Sequence, residues 1–188
     1  YMYMVRAGIG RIEKNYFILS AFKGQKQLFR AGSSGNTTAS ITGISAETRW
    51  SITPNTWATA EVAKSIAPDY RNNPVEYKTR LNFSDNTNQA MAFRIYSYWP
   101  QTGSRIEGSY KKTGANFQSF SSFQTSSSLE SWYIKAEQNF FGRKLRLAGS
   151  LRKNEFTNPF IVQEYTSNTI FKSLTASLRL RKWPVITV

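Results

Sequence analysis

From Ile44 to Thr53 the chain changes character at every residue: Ile44, Ala46, Thr48, Trp50 and Ile52 alternate with Ser45, Glu47, Arg49, Ser51 and Thr53. Successive side chains of an extended chain point to opposite faces, so this stretch predicts a strand with one apolar and one polar side. Residues 75–83 repeat the pattern, with Val75, Tyr77, Thr79, Leu81 and Phe83 opposite Glu76, Lys78, Arg80 and Asn82. Trp132, Ile134, Ala136 and Phe140 oppose Tyr133, Lys135, Glu137 and Asn139. Leu145, Leu147, Gly149 and Leu151 oppose Lys144, Arg146, Ser150 and Arg152. Ile170, Leu174, Ala176, Leu178 and Leu180 oppose Ser173, Thr175, Ser177, Arg179 and Arg181. Period-two alternation in so many segments, with no comparable helical period, predicts an all-β chain of about twelve strands. The last of them, VITV, is only begun where the chain stops.

The segments between these strands are rich in Pro, Asn, Asp, Gly and Ser, the residues that turns require. Short ones (residues 11–15, 54–56, 84–88, 113–114, 141–143 and 182–184) alternate with longer ones that include 67–74, PQTGS and 154–168. Short turns at one end and longer loops at the other predict an antiparallel up-and-down meander within a single domain over residues 1–188, and they match the asymmetry of membrane β-barrels. Two segments fit less well. NYFILSAFKG is apolar on both sides and is expected to lie under a plug, a loop or another chain, and FQSFSSFQ spaces its aromatics three apart. Lys64 and Lys172 fall on the apolar side of their strands, which predicts either a strand-end lysine reaching for the interface or a bulge.

Hydropathy separates the possible solvents only in part. The mean value of −0.47 is that of a soluble protein. No apolar run approaches 18 residues, so no transmembrane helix is encoded. A membrane β-barrel escapes this measure, because half of its strand residues are polar. Aromatics are abundant, at 15%. Trp50 and Trp57 flank the PNT turn, Phe83 precedes SDNTN, Phe140 enters the FGR turn, and Trp99 and Trp183 are expected at the opposite strand end and the final turn. Rings at both strand ends are what the two interfaces of a bilayer require, so the apolar face is expected to meet lipid.

The polar face then becomes the lining of a lumen. By alternation its bases are Arg49, Lys78, Arg80, Arg94, Arg105, Lys111, Lys135, Lys144, Arg146, Arg152, Arg179 and Arg181. Its acids are Glu47, Glu61, Glu76, Glu107 and Glu137, which leaves an excess of about seven positive charges inside. This fits a chain with 25 Lys and Arg against 11 Asp and Glu. Mixed charges on neighbouring strands can pair into a lattice that stiffens the wall. Lys144, Arg146, Arg152, Arg179 and Arg181 lack acids on their own strands and are expected to form a basic strip that attracts anions. On this reading Leu147→Arg should harm folding and Arg146→Glu should be mild.

Absences narrow the chemistry. With no cysteine and no histidine, disulfides, Cys- or His-ligated metal and imidazole catalysis are impossible. No enzyme activity and no cofactor is expected. AGIG lacks the third glycine of a dinucleotide site, and NTT at Asn36 matches a glycosylation acceptor by accident.

The stretches TRWSITPNTWATAEVAKS, YIKAEQNFFGRKLRLAGSLRKNEFTNP and FKSLTASLRLRKWP resemble outer-membrane β-barrels of Gram-negative Bacteroidota. The resemblance implies an antiparallel barrel in the outer membrane, serving as a pore, a secretion-machine component or a scaffold. Lacking a leader and a terminal aromatic, the chain is expected to be part of a longer barrel. Expected partners are the lipid bilayer with its lipopolysaccharide, other envelope proteins and small anionic solutes, and not nucleic acid. Two alternatives remain: a plugged barrel acting as an accessory subunit of an envelope machine, and a soluble β-sandwich whose bases and aromatics form a recognition face for glycan or nucleic acid.

Overall fold

The computed structural model describes residues 2–28, 37–66, 84, 86–118, 128–142, 144–158, 165–179 and 186–187. Ten strands run in chain order: β1 Met2–Gly10, β2 Tyr16–Leu28, β3 Thr37–Thr53, β4 Thr56–Ile66, β5 Gln89–Trp99, β6 Ser104–Thr113, β7 Ser128–Phe140, β8 Leu145–Asn158, β9 Tyr165–Leu178 and β10 Ile186–Thr187. Each pairs antiparallel with its chain neighbour, giving one up-and-down sheet without crossovers. The sheet is not closed: β1 and β10 are its two ends. Among the described residues there is no second sheet, and the one helix is a single 3₁₀ turn, Asn86–Asn88. The expected strand over 75–83 lies outside the described residues. So does most of FQSFSSFQ, whose Phe117 and Gln118 are described and are not in a strand.

Pairing settles which connections share an end. Residues 11–15, 54–55, 100–103 and 141–144 lie at one end. The ends of β2 and β3, of β4 and β5, of β6 and β7 and of β8 and β9 that follow one another in the chain lie at the other. Three expectations are thereby corrected. Asn86–Asn88, within the expected short turn 84–88, lies at the long-connection end before β5. PQTGS belongs to the short-turn end, where the Gly103 N–H bonds to the Trp99 carbonyl at 2.9 Å and Gly103 takes a φ of 65°. The pair Thr113–Gly114, read as a short turn, instead opens the long connection between β6 and β7.

Cross-strand partners share a face. Register is continuous except for a shift between Ser51 and Thr53, beside the Pro54–Asn55 turn. One face carries Val5, Leu19, Ile44, Ala60, Phe93, Ile134, Leu151 and Leu174, and the other carries Arg6, Glu47, Arg49, Glu61, Arg94, Lys111, Lys135 and Arg152. The apolar face is the open one: Val5 is 70% exposed, Ile134 50% and Leu174 79%. Among the described residues the buried apolar side chains are Ile41 and the small Ala58, Ala63 and Ala115.

The sheet bends around its polar face. A cavity of about 440 Å³ is lined together by Met4 of β1, Phe22 of β2, Ala63 of β4 and Lys111 of β6. In a flat sheet five strand spacings of about 4.8 Å would hold β1 and β6 roughly 24 Å apart.

Candidate functional site: the polar face and its apolar rim

The alternation of each strand, carried through the register, brings the charged side chains together. Arg49, Arg94, Arg105, Lys111, Lys135, Arg146 and Arg152 lie on one face with Glu47, Glu61, Glu107 and Glu137. Lys144 sits in the β7–β8 turn, and Arg179 follows β9, its N–H donating to the Lys144 carbonyl at 2.7 Å. Lys78, Arg80, Glu76, Arg181, Phe83 and Trp183 lie outside the described residues.

Three acids on this face, Glu47, Glu107 and Glu137, are paired with bases of their own or a nearby strand. Glu137 is 8% exposed, with Lys135 Nζ 2.5 Å from one carboxylate oxygen and Arg146 Nη2 2.6 Å from the other. Burial strengthens such a pair and makes it expensive to leave incomplete. The expectation that Arg146 belongs to an unpaired strip is therefore corrected: its acid comes from β7, across the hairpin. For the same reason Arg146→Glu is not mild, since it would set a second carboxylate against Glu137. Glu47 accepts from Arg6 Nη2 at 2.9 Å and from the Tyr16 hydroxyl at 2.5 Å. Arg105 lies 3.3 Å from Glu107.

Trp57 is also corrected. It shares the face of Arg49, not that of Trp50, and lies beneath the Arg49 guanidinium, whose Cζ is 4.7 Å from the ring centroid. Trp57 stacks on Tyr96 at 5.7 Å, and Arg105 covers Tyr96 at 5.1 Å. The result is a four-membered ladder, Arg49–Trp57–Tyr96–Arg105, in which each cation meets the negative face of a ring. The signal was in the sequence, because Trp57 has the parity of Thr59 and Glu61 within its own strand.

The apolar face has its own order along the strand. Trp50, Trp99 and Phe140 lie on it at the short-turn end, so Trp99 does not occupy the end opposite Trp50. At the long-loop end Tyr110 and its cross-strand partner Trp132 lie on this face, Trp132 opposite Lys153, which reaches Glu155 at 2.7 Å, with the Lys112–Glu130 pair at 3.1 Å beyond. From Trp99 to Met91 the band runs eight residues. At about 3.4 Å per residue that is roughly 27 Å along the strand, or roughly 20 Å at the tilt of barrel strands. Lys64 and Lys172 are on this face in unbroken register, so no bulge puts them there.

Phe141, in the turn below Phe140, holds a φ of 51° beside Gly142 at 63°. A bulky residue in this left-handed region is held against its preference, at about 1–2 kcal/mol. Its ring is exposed next to Phe140, centroids 6.4 Å apart.

Near the long-loop end the polar face is covered. The Gln118 N–H donates to Ser65 Oγ at 2.8 Å, the Asn116 N–H to the Thr87 carbonyl at 2.8 Å, and Phe117 closes the cavity over Met4 and Phe22. Within NYFILSAFKG, Ser20 and Phe22 on the polar side of β2 line this cavity together with Phe117. Among the described residues no three His, Cys, Asp or Glu side chains are grouped as metal ligands. Comparison with family models, with curated proteins and with solved structures finds no match to this chain.

Proposed function

We propose that the chain forms wall of an outer-membrane β-barrel, with its apolar face against lipid and lipopolysaccharide and its polar face lining a passage that favours small anionic solutes. The observation that carries the reading is the inversion of the two faces. The apolar side chains are exposed along the outside of the bend, and the buried Glu137, paired with Lys135 and Arg146, is on the inside. In water such an outside would be a continuous apolar patch far larger than soluble monomers carry. In a bilayer it is the required surface, and aromatics at both ends of a band of this height support that solvent. A soluble sandwich would need a second sheet to cover the apolar face. Lipid also demands that the free edges of β1 and β10 be paired, so the reading requires closure of the sheet by further strands.

Anion preference rests on the inner charge. Among residues with described side chains, the polar face carries eight bases in β1–β8 (Arg6, Arg49, Arg94, Arg105, Lys111, Lys135, Arg146 and Arg152) against the four acids Glu47, Glu61, Glu107 and Glu137. Water-facing bases raise the local concentration of anions. A second reading, the plugged accessory barrel, is favoured by one feature: Gly114–Gln118 folds onto the polar face. Reversal potential across a planar bilayer under a salt gradient decides. An anion-selective potential supports the passage. Cation preference rejects it, and a membrane-inserted protein without conductance favours the plugged scaffold. Stable monomer in detergent-free buffer rejects both.

A further inference from the structure

We infer that the polar face carries a binding row for phosphate, built by Arg49, Thr59, Arg94, Ser109, Tyr133 and Arg152. These six are successive cross-strand partners on β3 to β8: Arg49 opposite Thr59, Thr59 opposite Arg94, Arg94 opposite Ser109, Ser109 opposite Tyr133, and Tyr133 opposite Arg152. They lie in one line across the sheet, midway along β5 to β8. Each side chain has a hydrogen-bond donor, and none is a carboxylate. The rows on either side differ. One contains Glu47, Glu61 and Lys111; the other contains Glu107 and Lys135.

The three arginines of the row make no ion pair within 4.0 Å among the described residues, unlike Arg6, Arg105 and Arg146. Arg49 lies over the Trp57 ring, with its Nε buried and unbonded, and among the described residues Arg152 bonds to the neutral Asn154 Oδ1, at 3.3 Å. Arg94 is exposed. Guanidinium forks bind two oxygens of one anion at once. Arg49 and Arg94 are two strands apart, about 10 Å between backbones, with the Thr59 hydroxyl between them. A tetrahedral oxyanion offers oxygens to both forks and to the hydroxyl. Chloride offers one atom, and a carboxylate only two oxygens in one plane. The row therefore favours a tetrahedral oxyanion over chloride or a carboxylate, and phosphate, free or at the end of a small solute, is the one inferred. Glu61, a carboxylate without an ion pair among the described residues, stands two residues from Thr59 on the same face and opposes binding.

The inference rests on the reading of the polar face as water-filled, and its test keeps the two separate. Phosphate binding is measured on the detergent-folded protein by equilibrium dialysis with inorganic phosphate, while conductance is recorded in a bilayer on the same preparation. Arg94→Gln is expected to weaken phosphate at least tenfold, Arg94→Lys less, and Glu61→Gln to tighten it. Arg146→Gln, whose guanidinium is already committed to Glu137, is expected to stay within twofold wherever it folds. Competition by glycerol 3-phosphate as strong as that by phosphate indicates a phosphorylated solute, and weaker competition indicates the free ion. Phosphate binding without conductance upholds the row and rejects only the passage. No phosphate binding by the unaltered protein, or Arg94→Gln within twofold of it, overturns the row even where the channel conducts anions.

Discussion

Leu174→Arg separates the two solvents by sign and size. Leu174 is 79% exposed and sits mid-strand on the apolar face of β9, in the row of Ala136 and Gly149. Four residues separate it from Leu178 at the short-turn end, and six from Asn168, opposite Glu155. In water, a substitution at so exposed a site would change stability by no more than about 0.5 kcal/mol. Against lipid near mid-depth, an arginine costs about 2–4 kcal/mol. That corresponds to roughly 30- to 700-fold in the folding equilibrium. The neighbouring change Thr175→Arg places the same side chain on the polar face, opposite Ala148, and should stay within about 1 kcal/mol. Urea titrations of folding into phosphatidylcholine vesicles, followed by tryptophan fluorescence, measure both. Equal tolerance of the two changes, or a penalty confined to Thr175→Arg, would refute the lipid assignment.

Arg146→Gln should destabilise by about 1–2 kcal/mol, Arg146 being half exposed while its partner Glu137 is buried, and Arg146→Glu by more. A double-mutant cycle with Glu137→Gln should cancel most of the effect. Trp57→Ala should lose about 1–2 kcal/mol through the Arg49 and Tyr96 contacts, whereas Trp50→Ala leaves that ladder intact; guanidinium unfolding in detergent compares them. Gly43→Ala puts a methyl group into the Phe22 ring and should cost about 1–3 kcal/mol, with partial recovery on adding Phe22→Leu in the same titration. Phe141→Asn relieves a left-handed backbone strain of about 1 kcal/mol while removing an exposed ring; it should gain stability in micelles and fold more slowly into vesicles.

Side-chain parity is a local property of an extended chain, so the all-β class and the two-faced character of β3, β7, β8 and β9 were legible without coordinates. Lys64 and Lys172 could be placed on the apolar side for the same reason. Trp57 was misplaced because closeness to a turn was weighed above its parity with Glu61, although the parity was there to read. Other features do not follow from spacing along one strand. The β5–β6 connection falls at the short-turn end only because β4 pairs directly with β5. The acid that holds Arg146 comes from the facing strand of its hairpin, and the row from Arg49 to Arg152 runs at right angles to the chain. Alternation determines which side of its own strand a residue occupies. Which residues become neighbours across strands depends on register, and the backbone hydrogen-bond ladder sets that only when the strands pair.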